Sequence, residues 1–337
     1  LAVVFGADRA SAPPRIEVID DTITGAHAVL GHELWRREFP SKISQASASP
    51  WTDALWLVGL GSDGRDAGRL HAIDRRSGET LWTVAPRLDD LRTAFHDSAI
   101  TGGHFHFRRG TPADLDGDGT PEYASAFYHS TWFPAVVIVC DRDGTILGHY
   151  EHPGNITGLT VLDQDDDGRD EILVTATVNS KSQLGAAIIL LDHEGMDGGS
   201  RYLGHGDDPD VIPTDDAAVR LILPNYPAEM MAALGDERLA ARDPRIYWDP
   251  DGEPTIAVRV GTALNQPRPE EAIIVEFDRN LRITKLSPID TFVTTMRTTW
   301  PAEWFGSYGP SSGSWLREWA DGSIRYERGR KVPPASR

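Results

Sequence analysis

Gly68-Arg69-Leu70-His71-Ala72-Ile73-Asp74-Arg75-Arg76-Ser77-Gly78-Glu79-Thr80-Leu81-Trp82 reads as an apolar strand ending in aspartate, a polar turn containing glycine, and a second strand carrying tryptophan. Two strands joined by a glycine-containing loop make a hairpin. The unit recurs along the chain. Ala135 to Gly148 (AVVIVCDRDGTILG), Ala186 to Gly195 (AAIILLDHEG) and Ala272 to Thr284 (AIIVEFDRNLRIT) are clear copies, and Ile16 to Trp35 and Trp315 to Tyr326 are weaker ones. The strand-ending aspartates are Asp20, Asp74, Asp141, Asp192 and Asp278, with Asp321 in the last turn. The longest interval, Asp192 to Asp278, leaves room for an insertion.

Repeats of this length, with about four short strands each, are what a β-propeller needs, because each blade covers the apolar faces of its neighbours around a central channel. The expected fold is all-β, a single β-propeller of six or seven four-stranded blades spanning residues 15–337. It is closed by pairing a strand near Arg15 to Asp20 with the C-terminal blade, which hides the open edges. Pro227 to Arg242 (PAEMMAALGDERLAAR) reads as a helical insertion, with Met230, Met231, Leu234 and Leu239 on one broad face. A shorter helical turn is expected at Leu88 to Phe95. Residues 1–14 read as a tether or linker: the run Leu1 to Phe5 is apolar and leads into small residues and prolines, as the exit end of a signal anchor would. An ordinary edge strand fits that run equally well.

Two acidic loops carry the most specific chemistry. Asp114-Leu115-Asp116-Gly117-Asp118-Gly119-Thr120-Pro121-Glu122 and Asp163-Gln164-Asp165-Asp166-Asp167-Gly168-Arg169-Asp170-Glu171 both follow D-x-D-x-D-G-x-x-E, about one blade apart. Carboxylates at the first, third and fifth positions converge when the chain curls, glycine at the sixth permits the turn, and the seventh residue offers its carbonyl. Hard oxygen donors of this kind suit Ca²⁺. The expected ligands are Asp114, Asp116, Asp118 and the Thr120 carbonyl in one loop, and Asp163, Asp165, Asp167 and the Arg169 carbonyl in the other. Glu122 and Glu171 stand at the ninth position of each. A solvated acidic turn uses the same residue types. Two copies in register, each feeding an apolar strand, favour two structural Ca²⁺ sites, since clustered carboxylates without a cation repel one another.

These loops and the strands after them resemble the FG-GAP or VCBS repeat of integrin α-subunit propellers and of many bacterial extracytoplasmic proteins. The resemblance implies calcium held at the outer edge of a blade. Leu70 to Trp82 also resembles the repeat of PQQ-enzyme propellers. The ninth-position glutamates depart from the aspartate common in FG-GAP loops. Trp248-Asp249-Pro250-Asp251-Gly252-Glu253-Pro254 looks like a decayed third copy, too short of ligands to hold an ion.

Composition narrows the function further. The 337 residues carry 33 Lys and Arg against 51 Asp and Glu, a net charge of −18, the wrong sign for gripping nucleic acid through phosphates. Cys140 is the sole cysteine, which excludes an intrachain disulfide and a thiolate zinc cluster. It reads as a buried thiol. His104 and His106 share a strand face, with His96, His129, His149 and His152 nearby in sequence, but no H-E-x-x-H motif accompanies them. His96-Asp97-Ser98 is no triad, because neighbours on an extended chain point apart. A quinone-dependent dehydrogenase is disfavoured by the missing cysteine pair, and fold analogy alone does not supply chemistry.

The expected function is therefore a non-enzymatic, extracytoplasmic, calcium-braced module that binds another protein or serves in a membrane-attached assembly, tethered by a segment preceding Leu1. The rival is a glycan-binding or glycan-cleaving propeller using Trp300, Trp304, Tyr308, Trp315 and Trp319, whose flat faces could stack on sugars.

Overall fold

The structure, a computed structural model, describes residues 14–26, 30–61, 67–94, 103–130, 134–179, 184–192, 196, 219–222, 239–248, 253–262, 273–279, 283–288, 315–318 and 324–327. In chain order, β1 (Arg15–Ile19), β2 (Thr22–Ala26) and β3 (Glu33–Glu38) form a three-stranded sheet. Next come β4 (Ile43–Ala48), β5 (Leu55–Leu60), β6 (Leu70–Asp74) and β7 (Thr80–Val84), followed by a short helix, α1 (Leu88–Ala94). The third sheet is β8 (Phe105–Ala113), β9 (Glu122–His129), β10 (Ala135–Cys140) and β11 (Ile146–His152). The fourth is β12 (Gly154–Leu162), β13 (Glu171–Asn179), β14 (Leu184–Leu191) and β15 (Val219–Ile222). The fifth is β16 (Leu239–Trp248), β17 (Pro254–Thr262), β18 (Ile273–Phe277) and β19 (Ile283–Pro288), and β20 (Trp315–Glu318) pairs with β21 (Ile324–Glu327). Every ladder is antiparallel and joins consecutive strands.

The middle strands explain how these sheets are arranged. Ala135 to Cys140 is buried along its whole length, yet its residues divide by the two-residue period of a strand. Val136, Ile138 and Cys140 pack with Leu57, Leu70 and Ala72 of the second sheet. Val137 and Val139 pack with Leu159, Val161 and Val174 of the fourth. Leu173, Ile188 and Leu190 then meet Ile256, Val258 and Val275 of the fifth, and Ile23 of the first meets Val58 and Leu60 of the second. Each internal sheet is thus covered on both faces by its neighbours in sequence. The first strands β4, β8, β12 and β16 also lie against one another in series, which converges the sheets at that edge. Four-stranded meanders stacked in chain order about their first strands form a β-propeller.

The recurring aspartates close the hairpin turns. In the β6–β7 turn, Asp74 Oδ1 accepts from the N–H groups of Arg76 and Ser77. In the β10–β11 turn, Asp141 Oδ1 accepts from Asp143 and Thr145. The tryptophan of the preceding sheet then docks on the turn. Trp35 Nε1 donates to the Arg75 carbonyl at 3.0 Å, and Trp82 Nε1 donates to the Arg142 carbonyl at 3.0 Å. Beneath each indole lies a left-handed glycine, Gly78 (φ 75°) under Trp35 and Gly144 (φ 85°) under Trp82.

One expectation meets a correction. Leu239 to Arg242 opens strand β16 instead of closing a helix, because its backbone is taken up by a ladder with Arg259 to Thr262, and a long-range ladder overrides local helix propensity. The rest of that expected insertion, 227–238, lies outside the described residues. The shorter helix is present as α1. The strand near Arg15 pairs with β2 on one edge; the rest of the C-terminal blade expected to close the ring, apart from β20 and β21, lies outside the described residues. Of the expected tether, only Pro14 is described; its carbonyl accepts from Arg75 Nε at 2.7 Å.

Gly144→Ala places a Cβ 2.7 Å from the Trp82 ring in a backbone conformation that alanine resists. It should cost about 1–3 kcal/mol in denaturant unfolding, and Gly78→Ala should cost a similar amount by the same clash with Trp35. A cost near zero for both would show that the docked tryptophans do not hold the sheets together.

Candidate metal centre

The two acidic loops occupy equivalent places in the fold. Asp114 to Glu122 joins the first strand of the third sheet, β8, to the second, β9; Asp163 to Glu171 joins β12 to β13 in the fourth. Their internal bonds match position by position. The first aspartate accepts from the sixth-position glycine: Gly119 N–H reaches Asp114 Oδ1 at 3.3 Å and Gly168 N–H reaches Asp163 Oδ2 at 3.2 Å. The third accepts from the fifth, with Asp118 on Asp116 at 3.0 Å and Asp167 on Asp165 at 3.2 Å. The fifth accepts from the seventh, with Thr120 on Asp118 at 2.6 Å and Arg169 on Asp167 at 2.8 Å. Positions four and six are left-handed in both, at Gly117 and Gly119 and at Asp166 and Gly168. Aspartate tolerates that conformation better than most residues.

The ligand oxygens of Asp114, Asp116 and Asp118 lie within 4.8 Å of one another, as do those of Asp163, Asp165 and Glu171. Among the described residues these are the two places where three metal-ligating groups converge. A carboxylate has two oxygens and about four acceptor sites, so the bond to a loop N–H does not exhaust it. All donors are hard oxygens, which fits Ca²⁺. In the second loop Glu171 joins the triple and Asp167 stands outside it; in the first, Asp118 belongs and Glu122 does not.

The ninth-position glutamates also close their loops. Glu122 Oε2 accepts from Leu115 N–H at 2.9 Å, and Glu171 Oε2 accepts from Gln164 N–H. Both are largely buried. Burial pushes the pKa of Glu122 up to about 7 and that of Glu171 to about 8; the backbone donor opposes this, and the neighbouring aspartates add to it. A cation would reverse the imbalance, since opposite charge favours the ionised form.

A residue that the motif does not single out links the loops. Asp170, 1% exposed, directs Oδ2 to the N–H of Asp114 at 2.8 Å, while its own N–H donates to the Asp114 carbonyl at 2.8 Å. The stem of Arg169 lies over Gly117. On the far side, Gln164 Nε2 donates to the Arg279 carbonyl at 2.8 Å, and the Arg279 guanidinium pairs with Asp166 and with Glu253, both at 2.9 Å. Glu253 belongs to the decayed third copy, so Arg279 joins that segment to the second acidic loop. The one sequence signal for Asp170 is the additional acid at the eighth position, where the first loop has Pro121.

The histidines distribute into separate roles. His106 stacks on Tyr128 at 4.6 Å, His129 packs on Phe105, and His152 Nε2 lies 3.2 Å from the Thr177 carbonyl. Cys140 is buried, its thiol pushed up to about 12 by desolvation. His96, Trp300, Trp304, Tyr308 and Trp319 lie outside the described residues, and Trp315 opens β20.

No protein-family model matches the chain, and no curated protein matches it. Among solved structures it is similar to the dihydro-heme d1 dehydrogenase NirN (14% identity, TM-score 0.46, covering 82% of this chain and 46% of that one). It is also similar to BamB from Moraxella catarrhalis (15%, 0.41, 82% and 62%). A third is the β-propeller domain of Cps50 (Swd1) from Myceliophteria thermophila (13%, 0.41, 81% and 69%). The chain spans less than two thirds of the first two. The propeller assignment rests on the sheets themselves.

Asp170→Ala removes the acceptor of the buried Asp114 N–H and should destabilise the fold by about 1–3 kcal/mol. Faster hydrogen exchange at Asp114 than at the equivalent Asp163 would accompany it. Unchanged exchange at Asp114 would show that the tie between the loops carries no load.

Proposed function

We propose that this chain is a non-enzymatic propeller module, braced at its rim by two structural Ca²⁺ ions in loops of FG-GAP or VCBS type, that binds another protein outside the cytoplasm as part of a membrane-attached assembly. The observation that carries the reading is the pair of isostructural acidic loops on adjacent sheets, each bringing three carboxylates together and each tied to the next. A catalytic metal needs an open position facing a substrate cleft. These loops sit at strand connections and are braced by buried Glu122, Glu171 and Asp170, an arrangement suited to stiffening a surface. A rigid surface with little conformational freedom to lose is favourable for protein recognition. The all-oxygen donor set, without the twelfth-position bidentate glutamate of a cytosolic sensor, suits the weaker affinities of extracellular calcium modules.

Two measurements test this. Elemental analysis should find two calcium ions per chain, and saturating each site at about a hundredfold over Kd should add about 2.7 kcal/mol of stability, reversed by chelator. Asp116→Asn and Asp165→Asn should each halve the stoichiometry. An unchanged melting temperature on chelation, with no bound metal, would overturn the calcium sites. For the partner, affinity purification from solubilised membranes should return a stoichiometric protein. Strong binding on a glycan array that is lost in Trp304→Ala and Trp315→Ala would replace that reading with sugar recognition.

A further inference from the structure

Glu151, on β11, is 0% exposed. Its Oε1 lies 2.7 Å from His149 Nδ1, and its Oε2 is buried with no hydrogen-bond partner among the described residues. The two side chains share a strand face with the positions opposite Ile138 and Val136. Above that face sits α1, whose Leu91 is buried against Val136 and Ile138. Between helix and sheet is a cavity of about 20 Å³, room for about one water. Ala85, Pro86, Leu91, Val136, Ile138 and Ile146 supply its apolar lining. The charged groups facing the pair are Asp90 of α1 and Arg87 just before it, which lie 3.9 Å apart; β10 contributes apolar side chains there.

An unpartnered buried carboxylate oxygen is costly when ionised. This one is shielded from solvent, so the cation that reaches it without moving the backbone is a proton. We propose that His149 and Glu151 form a proton-operated latch for α1: the helix is seated while the pair holds its titrating proton and loosens when that proton is lost. With the proton, the pair is neutral overall, either as acid and imidazole or as carboxylate and imidazolium, and which partner carries it is a property of the pair. Without it, a net negative charge is buried under the helix beside Asp90. Burial holds the Glu151 pKa above its ordinary value; the His149 bond opposes this and Asp90 adds to it. A carboxyl whose pKa is raised in the closed state stabilises that state below the ordinary carboxylate range. That stability is lost as pH climbs to the raised value, where the loss is complete.

Hydrogen exchange on the intact chain tests the latch, followed upward in pH from the ordinary carboxylate range, corrected for intrinsic rates and referenced to the amides of β13. Protection across Leu88–Ala94 should fall by up to tenfold per pH unit and then level off. Glu151→Gln should abolish the slope. Asp90→Asn, at a partly exposed position, should bring the levelling to lower pH by lifting one negative neighbour. Protection of α1 that follows the β13 reference at every pH, or an unchanged slope in Glu151→Gln, would overturn the proposal. If Glu151→Gln does not fold, the Asp90→Asn curve decides, and one superimposable on the parent overturns it.

Discussion

A strand that is apolar on both faces can be satisfied only between two other layers, and the rest of this architecture depends on that constraint. Ala135 to Cys140 is such a strand, and Ile172 to Val174 and Ile188 to Leu190 repeat the condition in the next sheet. A two-layer sandwich would leave one face of each wet. Stacking the sheets in chain order buries both faces with short connections. It also requires small residues where first strands crowd together, as where Gly158 of β12 lies against Pro244 of β16.

Apolar stacking alone leaves the sheets free to slide, and polar ties fix their register. Between the first three sheets the tie is an indole donating to a turn carbonyl over a left-handed glycine. Between the third, fourth and fifth it is a chain of carboxylates, an amide and a guanidinium running through the acidic loops. The change of device falls at the third sheet. There the third–fourth seam uses His149 N–H on the Met196 carbonyl, with Gly148 against Met196, in place of a tryptophan. The two kinds of repeat in the sequence are therefore two ways of fastening the same seam.

Much of this was legible from residues alone because the signals are local. The hairpins announce themselves through short apolar runs that end in an aspartate with a nearby glycine, and the loops through five residues at a fixed spacing. What was not legible depends on partners far along the chain. Leu239 to Arg242 has helix-favouring alanine and leucine, and only Arg259 to Thr262 makes it a strand. Asp170 looks like one more acid in an acidic run until Asp114 is placed beside it. The dual place of Glu171, capping its own loop and facing its aspartates, follows from burial that the motif does not encode. Nothing near Arg279 in sequence announces that it spans two loops.

Arg279 braces two segments with a charge that belongs to the chain itself. Its guanidinium, 19% exposed, bridges Asp166 and Glu253 with a positive charge that is part of the polypeptide. It stays charged at any physiological pH. An exchangeable ion answers to supply and can be stripped; a covalently attached one answers only to screening by salt. The charge that Arg279 brings to the seam between the fourth and fifth sheets is therefore fixed, although its partner Asp166 lies in the second acidic loop.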